Sequence, residues 1–128
     1  MATRTQARES VVGLLYAYDL GNTTIAKFSD VIFEDKKIRN KQKEFAQDLF
    51  DGVIANLETI DTVLSEHLKE RDINEVGAVE KAILRLSIFE ITHNKIDKAI
   101  AINEAIELAK KLASDNAPKF INGLLDSI

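Results

Sequence analysis

The chain has two histidines, His67 and His93, and the second closes the segment Glu90-Ile91-Thr92-His93. Glu-x-x-His is the spacing with which helical di-iron carboxylate bundles hold their metals, but such a site needs the motif twice, with two further glutamates. Here the motif occurs once and His67 has no equivalent partner, so no metal site and no cofactor is expected. There is no Gly-x-Ser-x-Gly elbow to present a nucleophilic serine and no glycine-rich loop to cradle a phosphate. Absence of cysteine removes thiolate and disulfide chemistry and fits a reducing, cytoplasmic setting. The expectation is a protein that is not an enzyme.

Binding chemistry is better represented. Arg4 and Arg8 precede the first acid, Glu9, and their i,i+4 spacing lines both along one side of a helix. The run KKIRNKQK, Lys36 to Lys43, holds five basic residues and no acid. Its plain reading is a solvated face. Tyr16 falls on the polar side of the first helix, beside Glu9 and near Val12. Single exposed aromatics are common, yet tyrosine is enriched at protein interfaces.

The closing stretch KFINGLLDSI poses a different question. Gly123 inside a helical run costs about 1 kcal/mol relative to alanine. On a helical wheel Phe120, Ile121, Leu124, Leu125 and Ile128 make the apolar stripe, with Phe120 at its edge. Lys119, Asn122, Gly123 and Asp126 fall on the opposite side, so Asn122 and Gly123 build an outer surface and leave the core intact. Glycine there admits the close approach of another backbone, either a neighbouring helix or an external partner.

The elements that must position these groups are helices. At 128 residues, 45% hydrophobic and 30% charged, with one proline and five glycines, the composition is that of one ordinary globular domain spanning 1–128. No run of apolar residues is long enough for a transmembrane helix. A net charge of −4 argues against unpatterned binding to nucleic acid while allowing a local basic patch. Helical periodicity predicts a first helix over about 3–20, ended by Gly21 and Asn22, then a short one over 25–33. A turn through EDKKIRNKQKE follows, then helices carrying Phe45, Leu49, Val53 and Leu57 and, beyond them, Ile60, Leu64 and Leu68. KERDINEVG is a break. Ala78 to Ile91 is apolar on two faces and is therefore packed on two sides, a central helix between an amino-terminal and a carboxy-terminal group. Glu90 falls on one of those faces and needs a hydrogen-bonding partner if buried. Ala99 to Ala113 is amphipathic, with Glu107 and Lys111 spaced for an i,i+4 pair. Pro118 fits the first turn of the last helix, with Ser114 or Asn116 as its cap.

ARESVVGLLYAYDL, DGVIANLETID, VEKAILRLSIFEI and AINEAIELAKKLASDNAPKFINGLLD occur in this order over nearly the whole chain. Together they resemble the NusB family of bacterial transcription antitermination factors, the last block most specifically. The resemblance implies an all-α single domain of about seven helices, arranged as two three-helix sub-bundles sharing the central buried helix. It implies a non-enzymatic protein that pairs with NusE, a small-subunit ribosomal protein. The heterodimer binds the single-stranded boxA element of nascent RNA and promotes read-through in the RNA polymerase antitermination complex. Carried onto this chain, the RNA-binding residues are Arg4, Gln6, Arg8 and Glu9 with Asn116, Lys119, Phe120 and Asn122. Thr5 and Gln6 stand where the family more often has arginine. Tyr16 and Glu80 match the NusE-facing side, and Tyr16 with Val12 also suits a homodimer. Arg4, Arg8 and Lys119 would position phosphates, amide side chains would read unpaired base edges, and Phe120 would stack on a base. The competing readings are a NusB-like domain of a ribosomal RNA methyltransferase, disfavoured because no methyltransferase segment follows, and a helical protein–protein adaptor.

Overall fold

A computed structural model describes all 128 residues. Seven α-helices follow one another: α1 (Arg4–Asp19), α2 (Ser29–Asp35), α3 (Lys41–Ala55), α4 (Leu57–His67), α5 (Ala78–Thr92), α6 (Lys98–Leu112) and α7 (Ala117–Asp126). Short 3-10 turns, Thr23–Phe28 and Ile73–Glu75, precede α2 and α5.

Local chemistry explains most boundaries. Thr3 opens α1 with a capping box: its hydroxyl accepts from the Gln6 amide at 3.1 Å, and the Gln6 side chain accepts from the Thr3 amide at 2.8 Å. Gly21, at φ 106°, closes it; Asn22 N–H reaches Ala17 O and Gly21 N–H reaches Tyr18 O, the two bonds of a Schellman end. The end of α2 has the same pattern, Ile38 to Phe33 O and Lys37 to Glu34 O. There a lysine, Lys37 at φ 62°, occupies the left-handed position usually given to glycine, while Ile38 and Phe33 are buried. The short helix expected over 25–33 is divided: residues up to Phe28 wind as a 3-10 turn, and the α-helix proper starts at Ser29. Ser29 is buried and its hydroxyl donates to Gln47 at 3.0 Å, which ties the junction to α3.

Every residue of α5 from Ala82 to Glu90 is buried. One side of the helix packs on α1, α3 and α4, the other on α6 and α7, which is the two-sided burial its double apolar face predicted. α6 and α7 form a hairpin against α5, and α1 with α3 forms the second group, flanked by α2 and α4. At Gly52 of α3 any Cβ would collide with the Phe89 ring, so glycine is what lets α3 and α5 approach. Lys98 at the start of α6 donates to the carbonyls of Asp126 and Ile128 at 2.7 and 3.0 Å, closing the end of α7. The expected Glu107–Lys111 pair is not formed. Lys111 reaches across to Glu9 of α1 at 2.6 Å, and Glu107 is left with Lys110 at 3.7 Å. The docking of α1 on α6 supplies a closer partner than the helix does.

Candidate nucleic-acid interface

The arginines of α1 part company in three dimensions. Arg8 is buried and forks onto Glu90 of α5, Nε to Oε1 at 2.8 Å and Nη2 to Oε2 at 2.9 Å. Glu104 of α6 stands 3.7 Å from its Nη1. Burial works against the Arg8 charge, but the hydrogen bonds and charges of Glu90 and Glu104 outweigh it and hold the guanidinium firmly protonated. This is the partner that a buried Glu90 requires. Where the resemblance implies that Arg8 positions a phosphate, in the fold 7% of its side chain is exposed and its fork donates to Glu90.

Arg4, one turn earlier, is exposed, and its guanidinium carbon lies 4.5 Å from the centre of the Phe45 ring; that of Arg8 lies 5.1 Å away. Both fall within the roughly 6 Å over which a cation is attracted to an aromatic face. Phe45 thus offers its ring to both guanidiniums, the buried Arg8 and the exposed Arg4. Gln6 is exposed, with its side-chain oxygen engaged in the capping box. Glu9, paired with Lys111, is half-buried.

The second group sits on α7. Asn116, Lys119 and Asn122 are exposed and Phe120 is half-buried. Asn116 occupies the N-cap position but makes no side-chain cap bond, so its amide is left to solvent. A methyl group in place of the Gly123 hydrogen would meet nothing within 4 Å, so no neighbouring helix of this chain explains the glycine. Arg71, in the segment read from sequence only as a break, lays its guanidinium 4.4 Å from the Phe120 ring centre. Sequence reasoning missed Arg71 and Phe45 as site residues; neither carries a local signal, because each is defined by what folds against it. No hydrogen bond or ion pair joins the α1 group to the α7 group. α6 is the element between them, bonding Thr5 through Glu104 and Glu9 through Lys111 while packing on α7.

Tyr16 is exposed, one turn before Asp19 on α1, whereas Val12 is buried in the core and adds nothing to that surface. Asp19 bonds Lys81 at 3.2 Å and Arg85 at 2.9 Å, which brings Tyr16 and Glu80 to the same end of the α1–α5 pair. Arg85 also forks onto Asp61 of α4 at 2.9 and 2.8 Å. The Glu80 carboxylate folds back over the start of α5, into space that exists only because residue 77 is glycine. A carboxylate is favoured there by the partial positive charge of the helix start. The Glu90–His93 spacing does not gather ligands: Glu90 belongs to Arg8, and His93 stacks on Phe89 with ring centres 5.1 Å apart.

The NusB family model matches residues 5–128. Transcription antitermination protein NusB of Aliarcobacter butzleri is 64% identical over 128 residues, covering 100% of this chain and 98% of its own length. That of Sulfurovum sp. is 62% identical over the same span. The chain belongs to the NusB family. These relatives are transcription antitermination proteins of nearly this chain's own length, and on that membership the protein is a non-enzymatic transcription factor of the RNA-binding type. Among solved structures, T. maritima NusB superposes with a TM-score of 0.87 at 30% identity, covering 98% of this chain and 89% of that one. A crystal structure of the antitermination factors NusB and NusE in complex with double-stranded RNA gives 0.87 at 32% identity, over 97% and 93% of the two chains. The seven-helix NusB fold, with no strand, is therefore shared along the whole chain. No helix is long and apolar enough to cross a membrane.

Proposed function

We propose that this protein is the RNA-binding half of a NusB–NusE heterodimer that recognises the boxA element of nascent ribosomal RNA and, within the RNA polymerase antitermination complex, promotes read-through of terminators. The observation that carries the reading is the full-length likeness to a NusB bound to both NusE and RNA. The whole chain, residues 1–128, acts as one RNA-binding domain. Arg4 and Lys119 position phosphates, Asn116, Asn122 and Gln6 offer amide groups to base edges, and the Arg71–Phe120 pair offers a planar platform on which a base stacks. Arg8 serves by anchoring α1 to Glu90 beside the Phe45 ring on which Arg4 rests, and Glu9 by fixing Lys111. Tyr16 and Glu80 face NusE; the same exposed Tyr16 suits a homodimer that dissociates to admit NusE.

The test is fluorescence-anisotropy binding of boxA RNA, a scrambled strand and a boxA duplex, each with and without NusE. Binding selective for single-stranded boxA that tightens with NusE is the expected result. Equal binding of all three RNAs in both conditions removes the boxA assignment. No RNA binding at all, with NusE still bound, leaves a helical adaptor. Tyr16→Ala is expected to weaken NusE binding while sparing RNA binding by the free protein.

A further inference from the structure

Between the start of α1 and the loop joining α2 to α3 runs a cleft of about 1060 Å³, just above the ~300–1,000 Å³ typical of small-ligand pockets. The wall formed by the α2–α3 loop and the first residue of α3 carries Lys36, Lys37, Arg39 and Lys41, and the α1 wall carries Gln6, Glu9 and Ser10. Four side-chain cations therefore share the cleft with one carboxylate, and that one, Glu9, is already held by Lys111. Arg39 is bonded to Glu34 at 3.2 Å. Lys43, which ends the basic run, is taken up by Asp30 at 2.7 Å and Glu34 at 2.8 Å and lies outside the cleft. Lys36, Lys37 and Lys41 have no acid within ion-pair distance. The run read as one solvated face is thus two things: an anchored end, and three uncompensated lysines along one wall of a groove.

The opposite wall supplies an independent sign of a ligand. Ser10 is 3% exposed, yet its hydroxyl has no hydrogen-bond partner, and the side-chain oxygen of Gln42, also on the cleft, is buried and unpartnered. Buried polar groups are almost always bonded. The comparison within this chain is direct: the equally buried Ser87 of α5 donates to the Ile83 carbonyl at 2.9 Å, the ordinary resting place for a helical serine. Ser10 does not take it.

We propose that this cleft, which Gln6 of α1 lines, is a second RNA contact in which a single strand lays its sugar–phosphate backbone along Lys36, Lys37 and Lys41. The Ser10 hydroxyl and the Gln42 side-chain oxygen lie just beneath the cleft surface, so the strand bonds them as the cleft walls part on binding. The inference rests on the RNA-binding function proposed above and extends its footprint to a surface that the α1 and α7 residues alone do not cover. With few cations left free on α1, the cleft lysines supply the phosphate neutralisation that the reduced arginine run lacks.

The experiment is an anisotropy salt series on the NusE heterodimer with boxA RNA. Wild type is compared with Lys36→Ala/Lys37→Gly/Lys41→Ala, with Ser10→Ala and with Lys119→Ala. Lys37→Gly is chosen because glycine suits the left-handed backbone there, and the melting transition confirms the fold. The triple variant is expected to bind roughly tenfold more weakly near physiological salt. Its log–log salt slope should fall by about 2, since each phosphate contact on a single strand contributes about 0.7. Ser10→Ala should weaken binding a few-fold with the slope unchanged. If the triple variant keeps wild-type affinity and slope while Lys119→Ala weakens binding, the cleft is not an RNA contact and the general RNA function stands. If the triple variant loses NusE instead of RNA, the cleft docks an acidic protein segment and the proposal falls. If the wild-type heterodimer binds no RNA, both fall together.

Discussion

Arg8 and the lysines at the α2–α3 junction hold opposite ends of the range open to a cation. Arg8 has lost its water and is bonded at both forks to an equally buried carboxylate; Lys36, Lys37 and Lys41 keep their water and have no carboxylate. The buried charge is fixed by the fold and works for the fold. The exposed ones are free to meet an outside anion at little desolvation cost. Arg4 and Arg8, four residues apart on one helix, show that residue type and spacing do not decide between these roles. What decides is whether α5 presents a glutamate.

The largest expected effect breaks the buried side of this contrast. Arg8→Ala leaves Glu90 charged and unpaired in the core, and a loss of about 3–5 kcal/mol is expected. Arg8→Met with Glu90→Leu should recover most of it. Urea unfolding of the single and double variants measures both. A cost below about 1 kcal/mol for Arg8→Ala would return Arg8 to the free phosphate ligands.

Acid sharpens the same contrast at the far end of α1. Burial opposes ionisation of Asp19, but hydrogen bonds from Arg85 and Lys81 and their charges prevail and hold its carboxyl below the usual range. Its folded pKa is thus depressed, so its contribution to stability is complete above the unfolded value of about 3.9. That contribution is lost as the pH falls through the folded pKa. Asp19→Asn should flatten this acid limb of a stability–pH curve, leaving the neutral-pH curve lower. An unchanged limb would mean that other carboxylates carry it.

Gly123→Ala tests the α7 surface. With open space around the position, alanine should raise stability by up to about 1 kcal/mol through helix propensity. RNA affinity of the heterodimer should fall, because the added methyl stands on the surface proposed to meet RNA. Higher stability with unchanged affinity would remove Gly123 from the interface. The smallest expected change is in the stability of Arg4→Ala, within about 0.5 kcal/mol because the side chain is exposed, alongside weakened RNA binding. A large loss of stability would show that the cation–π contact with Phe45 is structural.

Much of this molecule follows from the sequence by itself. The helical class, the two-sided burial of α5 and the outward position of Lys119, Asn122 and Gly123 all come from the helical repeat, a local property readable a few residues at a time, whereas the count of seven comes from the family resemblance. Even the need of Glu90 for a partner follows from its place on an apolar face. Which group answers that need does not: Arg8 is 82 residues away in the chain. Lys111 likewise prefers Glu9, 102 residues distant, to the glutamate one turn back. The Arg71–Phe120 platform and the division of the Lys36–Lys43 run into anchored and free cations are tertiary facts of the same kind. Periodicity says which way a side chain faces; only the docking of one helix on another brings a charge within reach of its partner and removes the water from between them.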